Sequence, residues 1–434
     1  MRQRLIRLVD QLRVSFWFLP ALLLLAATVL AWGALLADAA HDGTWGGLLF
    51  NGGPQGARTI LGTIAGSMVT VGTTVFSITM VALTLASSQF GPRMLSNFLR
   101  DRGNQLTIGL FLAVFLYSLI VLRGVHDRAG GVPNLAVSLA IVLAVAALMV
   151  LVYFIHHIAT SIQVMNLVQL LADDLSAGLD SSVPEAGESP DVVVTRPELP
   201  PPGHAVDAAS SGYVQYVDRS ALVRRAAERD LVLRLLVRPG RFVVAGSPLA
   251  RAWTADGRAA TDEQCADLAA LVSVGPRRSI AQDVEFPIRQ LVEVGLRALS
   301  PGINDPTTAT ACLNQLSVGL SRVADRPMPP DVHPDGDGVA RLVQEGPLTW
   351  ARLVGGAFDQ LRQAAGGHVV VHLHLLEALT TIAGRTTRLD RLTVLRRQGD
   401  LVWEAAQQAV AQAADLEVVR QRHAALLAAV GGAG

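Results

Sequence analysis

The sequence predicts a membrane α-helical domain of four transmembrane helices, followed by a cytoplasmic α+β region made of a small β-barrel or sandwich module and a helical domain. Three observations carry this reading. Hydrophobic residues make up 51% of the 434 residues and charged residues 17%, too apolar for an ordinary soluble protein and too charged for one wholly in lipid. Four long apolar runs crowd the N-terminal part of the chain. The remainder mixes charged residues, proline-rich breaks and short valine-rich stretches.

The apolar runs are Phe16–Ala37, Thr59–Ser88, Leu106–Leu122 and Leu135–Ile158. Each is close to or above the ~20 residues that a bilayer core requires. The first is too long in its apolar core for a signal peptide, and Trp32 to Asp38 makes a poor cleavage site. Arginines set the orientation. Arg2, Arg4, Arg7 and Arg13 precede the first run, and Arg93, Arg100 and Arg102 follow the second. Both segments and the long C-terminal part are therefore expected in the cytoplasm, and residues 1–168 form the membrane domain.

Beyond it, residues 169–204 read as a linker, on the strength of VPEAGESPDVVVTRPELPPPGH. Residues 205–255 hold Gly-bounded, valine-rich runs, VLRLLV and FVVAGSPLA, expected as strands of the β module. Residues 256–434 turn helical in pattern, with a break at DRPMPPDVHPDGDG.

Composition removes several classes of chemistry. No lysine occurs, which excludes a Schiff-base lysine, a phosphate-loop lysine and a lipoyl or biotinyl carrier. Lys+Arg and Asp+Glu balance at 36 each, so no nucleic-acid partner is expected. The two cysteines, Cys265 and Cys312, have no CxxC partner. No catalytic motif, cofactor or metal site is expected. His368 and His372 stand at i,i+4, but the glutamate that hydrolytic zinc helices place after the first histidine is missing.

The second run poses the main question. On a helix, Ile60, Ile64, Met68, Val71, Val75, Ile78, Ala82 and Leu85 make one apolar face. The opposite side collects Thr59, Thr63, Ser67, Thr70, Thr73, Thr74, Ser77, Thr84 and Ser88, interrupted by Met80 and Val81. A face of hydroxyls in a membrane helix meets either another helix or water. In the second case several copies would surround a polar path for ions, with Met80 and Val81 as a constriction that gates by dewetting. Gly91 and Pro92 then end the helix. Residues 92–102 are expected as a short interfacial helix, with Arg93, Phe98 and Arg100 coupling the membrane part to the tail.

A second stretch, SPGINDP at Ser300–Pro306, has a structural explanation. Pro301 and Gly302 stop one helix, Asp305 caps the next, and Pro306 occupies its first turn. Asn304 and Asp305 are kept as a candidate cytoplasmic motif. Arg277 and Arg278 with Asp283 and Glu285 could hold an anion or an intersubunit salt bridge, or simply be a solvated helix start.

Two strings together, FSITMVALTLASSQFGPRMLSNFLRDR and RRSIAQDVEFPIRQLVEVGLRALSPGINDPTTATACLNQL, carry a resemblance. The chain resembles the bacterial membrane protein family filed as domain of unknown function 2254, over nearly its whole length. The resemblance implies an integral protein of the bacterial inner membrane and carries over no site. The partners expected are the lipid bilayer, further copies of the same chain, and ions. The function expected is an oligomeric channel or transport protein with a regulatory tail. The alternative is a membrane-anchored scaffold or sensor whose tail binds a ligand or partner.

Overall fold

The computed structural model describes residues 17–40, 49–90, 102–126, 132–161, 164–185, 195–200 and 202–431, without the side chains of residues 85–90 and 159–161. The chain divides into two compact units, Met1–Asn166 and Leu167–Gly434.

The first unit contains α1 (Phe18–Ala40), α2 (Pro54–Phe90), α3 (Arg102–Arg123) and α4 (Asn134–Ser161). All four are long and apolar enough to cross a membrane. They coincide with the four apolar runs, lengthened by a few residues at their polar ends. Helix α3 is the centre: 56% of its span is buried, against 22% for each of the others. It touches α1, α2 and α4. Phe111, Val114, Tyr117 and Val121 are fully or almost fully covered. Gly109 lets α1 come close, because a Cβ there would lie 2.9 Å from the Pro20 backbone. Small residues allow this approach where no hydrophobic effect drives helices together.

One end of this unit is tied by polar contacts that bridge long stretches of chain. Asp38, buried near the end of α1, accepts the backbone N–H groups of Leu135 at 3.0 Å and Ala136 at 2.9 Å. It therefore caps the start of α4 from another helix, meeting two donors that the helix itself cannot satisfy. Tyr117 donates its hydroxyl to the Ala136 carbonyl at 3.0 Å, and Phe50 N–H donates to Ser138 Oγ at 2.8 Å.

The second unit takes up α5 (Val164–Ser182), whose first residues precede the boundary. Residues 169–182, expected as linker, are thus helical. Val168, Leu171, Leu175 and Leu179 form a buried stripe at helical spacing, which outweighs the local Ser, Gly and Asp content. After it come β1 (His204–Asp207), β2 (Gly212–Val217), α6 (Arg219–Glu228), β3 (Leu231–Leu235), β4 (Phe242–Val243) and β5 (Pro248–Thr254). Then follow α7 (Asp262–Cys265), a 3₁₀ turn at Leu268–Leu271, β6 (Val272–Gly275), α8 (Glu285–Ala298), α9 (Pro306–Val323), β7 (Val332–Pro334) and β8 (Ala340–Gln344). Four helices close the unit: α10 (Trp350–Ala364), α11 (Val369–Ala383), α12 (Leu389–Ala409) and α13 (Ala413–Gly431).

The strands do not close into a barrel. They form two open sheets, β1-β5-β3-β8-β7 and β4-β2-β6. Both contribute to one apolar core, with Leu222 and Ala226 of α6 among its members. Strand β8 runs parallel to β3, pairing Leu233 with Leu342. The stretch expected as purely helical therefore returns three strands to the sheets. Helices α8 to α13 pack on one another beyond them: α9 on α8 and α11, α10 on α8 and α12, α13 on α11 and α12.

The Asp38 cap yields a prediction. Asp38→Ala removes the acceptor of two buried N–H groups and should lower stability by about 1–3 kcal/mol. Chemical unfolding of the detergent-solubilised protein measures this. An unchanged midpoint would mean that the cap is not a stabilising contact.

Candidate functional site

Helix α2 shows a clean division of faces. Ala57, Leu61, Ala65, Met68, Val75, Thr79 and Ala82 are buried, most of them against α3 and α4. Thr59, Thr63, Ser67, Thr70, Thr73, Thr74, Ser77 and Thr84 are all exposed on the other side. At ~100° per residue these hydroxyls fall within an arc of roughly 120° opposite the buried face. Among the described residues, the hydroxyl face is therefore not packed against the other crossings. Ser88 continues the helix, but its side chain lies outside the described residues.

Val81 is 60% exposed and Met80 is 45% exposed. By helical phase Val81 sits within the hydroxyl arc and Met80 at its edge. Ile78, expected on the apolar face, is instead 42% exposed, and Thr79 is buried in its neighbourhood. Val69 and Phe76 are also exposed, flanking the arc. Arg93, Phe98 and Arg100, expected on an interfacial helix, lie outside the described residues.

The threonines share one hydrogen-bond habit. Thr59, Thr63, Thr70, Thr73, Thr74 and Thr84 each donate to the carbonyl four residues earlier, at 2.8–3.1 Å. Each donor is satisfied inside the helix, and each oxygen keeps an outward lone pair. The threonines therefore present acceptors rather than donors, a chemistry that suits a cation or the hydrogens of water, while Ser67 and Ser77 on the same face keep hydroxyls able to donate.

In the second unit, the SPGINDP turn is built by local hydrogen bonds. Asn304 takes a positive φ of 50°, a conformation that asparagine tolerates, and its N–H donates to the Ser300 carbonyl at 2.8 Å. Asp305 caps α9: Oδ1 accepts Thr308 N–H at 3.1 Å and Oδ2 accepts the Thr308 hydroxyl at 2.5 Å. Those bonds, the side-chain one foremost, hold its carboxyl below the usual range. His372 is buried in α11, with Nε2 against the Gly366 carbonyl at 2.9 Å, and His368 forms the N-cap position. Burial pushes the His372 imidazole below its ordinary pKa.

Of Arg277, Arg278, Asp283 and Glu285, read from the sequence as an anion site, an intersubunit salt bridge or a solvated helix start, the structure pairs Arg278 with Asp283 and gives Glu285 to Arg238 and Arg352 of the same chain. In the structure Arg278 Nε and Nη2 donate to Asp283 at 2.7 and 2.9 Å. Gly240, at φ +83°, passes so close that a Cβ would overlap Asp283 Oδ2. Only glycine fits there, and that signal was the PG of LVRPGRF.

Fold and site together define a polytopic membrane protein: four candidate spans, one of them with a hydroxyl face, joined to a mixed α/β region. The chain belongs to the predicted membrane protein family of domain of unknown function 2254, whose family model matches residues 13–381. It is 33% identical over 422 residues to an uncharacterized protein of Mycobacterium bovis and, equally, to one of Mycobacterium tuberculosis. Those alignments cover 95% of this chain and 80% of each relative. No solved structure matches it.

The shift at His372 fixes a pH dependence. Its folded pKa lies below the unfolded value of ~6.5, so acid favours the unfolded chain, which takes the proton first. The stability that neutral His372 allows is full above ~6.5 and falls as pH drops from there toward the folded pKa. Unfolding midpoints of the full chain at pH 7.5 and 5.5 should therefore drop more for the native protein than for His372→Gln. A parallel drop in both would assign the acid sensitivity elsewhere.

Proposed function

We propose that this chain is an oligomeric channel or transport protein of a bacterial inner membrane, in which α2 from several copies lines a polar path. The observation that supports this is the direction of the hydroxyl face. The apolar side of α2 packs on α3 and α4, and its hydroxyl side is exposed among the described residues. Outward acceptor oxygens with internally bonded donors favour cations along that path. Val81, within the arc, supplies an apolar ring in the symmetric assembly, and such a ring gates by losing water. The arginines before the first crossing and after the second support a cytoplasmic N-terminus and a cytoplasmic second unit, which in this reading sets the open state.

A second reading has its own support. A threonine bonded back to its own helix is also suited to lie against another helix, and exposed Val69, Phe76 and Ile78 suit lipid or packing. In that case the membrane part is an anchor or scaffold, and the second unit binds a ligand or partner.

Planar-bilayer recording separates the two. The purified protein should give discrete conductance steps, and Val81→Ser should lengthen or enlarge them because the ring becomes wettable. Silence from both proteins, under voltage and under tension, would overturn the channel reading and leave the scaffold.

A further inference from the structure

The second unit holds a cavity of about 440 Å³ between α8, α10 and the turn before β4, lined by Arg238, Arg278, Arg289, Arg352, Glu285 and Asp359 among others. We propose that it binds a small ligand bearing phosphate. This proposal is independent of what α2 lines.

The charges are arranged as a receptor rather than as a closed network. Glu285 is engaged by Arg238 on one oxygen and by Arg352 on the other, the latter at 2.9 Å. Arg278 is fixed by Asp283, whose side chain is almost wholly buried, and its guanidinium lies over the Phe286 ring at 5.0 Å. Asp359 turns to Gln398 at 3.0 Å and Arg362 at 3.7 Å. These contacts set three guanidinium groups in place, each with more N–H donors than its partner can take. Arg289 stands on the exposed side of α8 and has no ion pair or hydrogen bond among the described residues, including with Glu293 one turn on. The lining therefore carries an excess of positive charge.

The shape fits the same occupant. Gly355 and Gly356 leave the α10 wall without side chains, and a Cβ at Gly356 would meet nothing nearer than 3.9 Å. The volume falls in the ~300–1,000 Å³ range of small-molecule sites. Guanidinium forks match the oxygens of phosphate in pairs. Several forks converging on one space favour an anion with three or more oxygens and more than one charge, so a phosphate group suits better than a single carboxylate.

The same group reaches a protein either on a soluble molecule or on a lipid headgroup, and two probes distinguish these sources. The full chain in neutral detergent is titrated with pyrophosphate, and separately with dihexanoyl phosphatidic acid, at constant ionic strength by calorimetry. The native protein should bind at least one of them. Arg289→Gln, at an exposed position, should leave the unliganded unfolding midpoint unchanged and weaken binding by about tenfold. Gly356→Leu should block the wall and abolish binding while keeping or raising the midpoint, since leucine favours a helix more than glycine does. Binding of pyrophosphate assigns a soluble ligand, and binding of the lipid alone assigns a headgroup. No binding of either at millimolar concentration, or equal binding by all three proteins, overturns the proposal.

Discussion

The membrane unit depends on the burial of α3. One crossing is covered by three others, and each of those three can offer it only one face. For α1 and α4 the remaining surface is mostly apolar, with Trp32 and Tyr153 among it, and can meet lipid directly. For α2 it is not. Its remaining surface holds the hydroxyls, and its described length of 37 residues would extend ~55 Å, well past a ~30 Å hydrocarbon core. That polar face is best met by another copy, water or an interface. Back-bonding of the threonines lowers the cost of that exposure but leaves the oxygens to be met.

Much of the membrane unit was legible in sequence, because bilayer thickness and helical period leave few choices. The four spans follow from run length, and the burial of Met68, Val75 and Ala82 follows from their spacing. The exchange of Ile78 and Thr79 was not legible. At the edge of a face, helix rotation and neighbour packing decide which of two adjacent residues is covered. The Asp38 cap was hidden for another reason: its partner Ala136 is 98 residues away, and no local pattern reports such a contact.

The second unit divides in the same way. Asp305 and Pro306 could be read because a helix cap is made by residues within one turn. The sheet could not. Its centre pairs β3 with β8 in parallel across more than a hundred residues, and β7 and β8 are too short to stand out from the proline-rich stretch beside them. A barrel closed within residues 205–255, one of the two forms expected there, does not form, because one side of β3 is taken by β8, a strand from far outside that segment. The arginine cavity was likewise scattered, since Arg238, Arg289 and Arg352 come from three separate elements.

The most direct measurement concerns what the hydroxyl face of α2 meets. Single cysteines at Ser67, Thr70, Thr74 and Ser77, in a background lacking Cys265 and Cys312, are treated in intact membranes with a charged, water-borne thiol reagent. The flanking positions Val69 and Phe76 serve as controls. A polar path requires labelling along the hydroxyl positions and none at the flanking ones. Protection of all four hydroxyl positions would contradict it and place this face against a helix or in lipid.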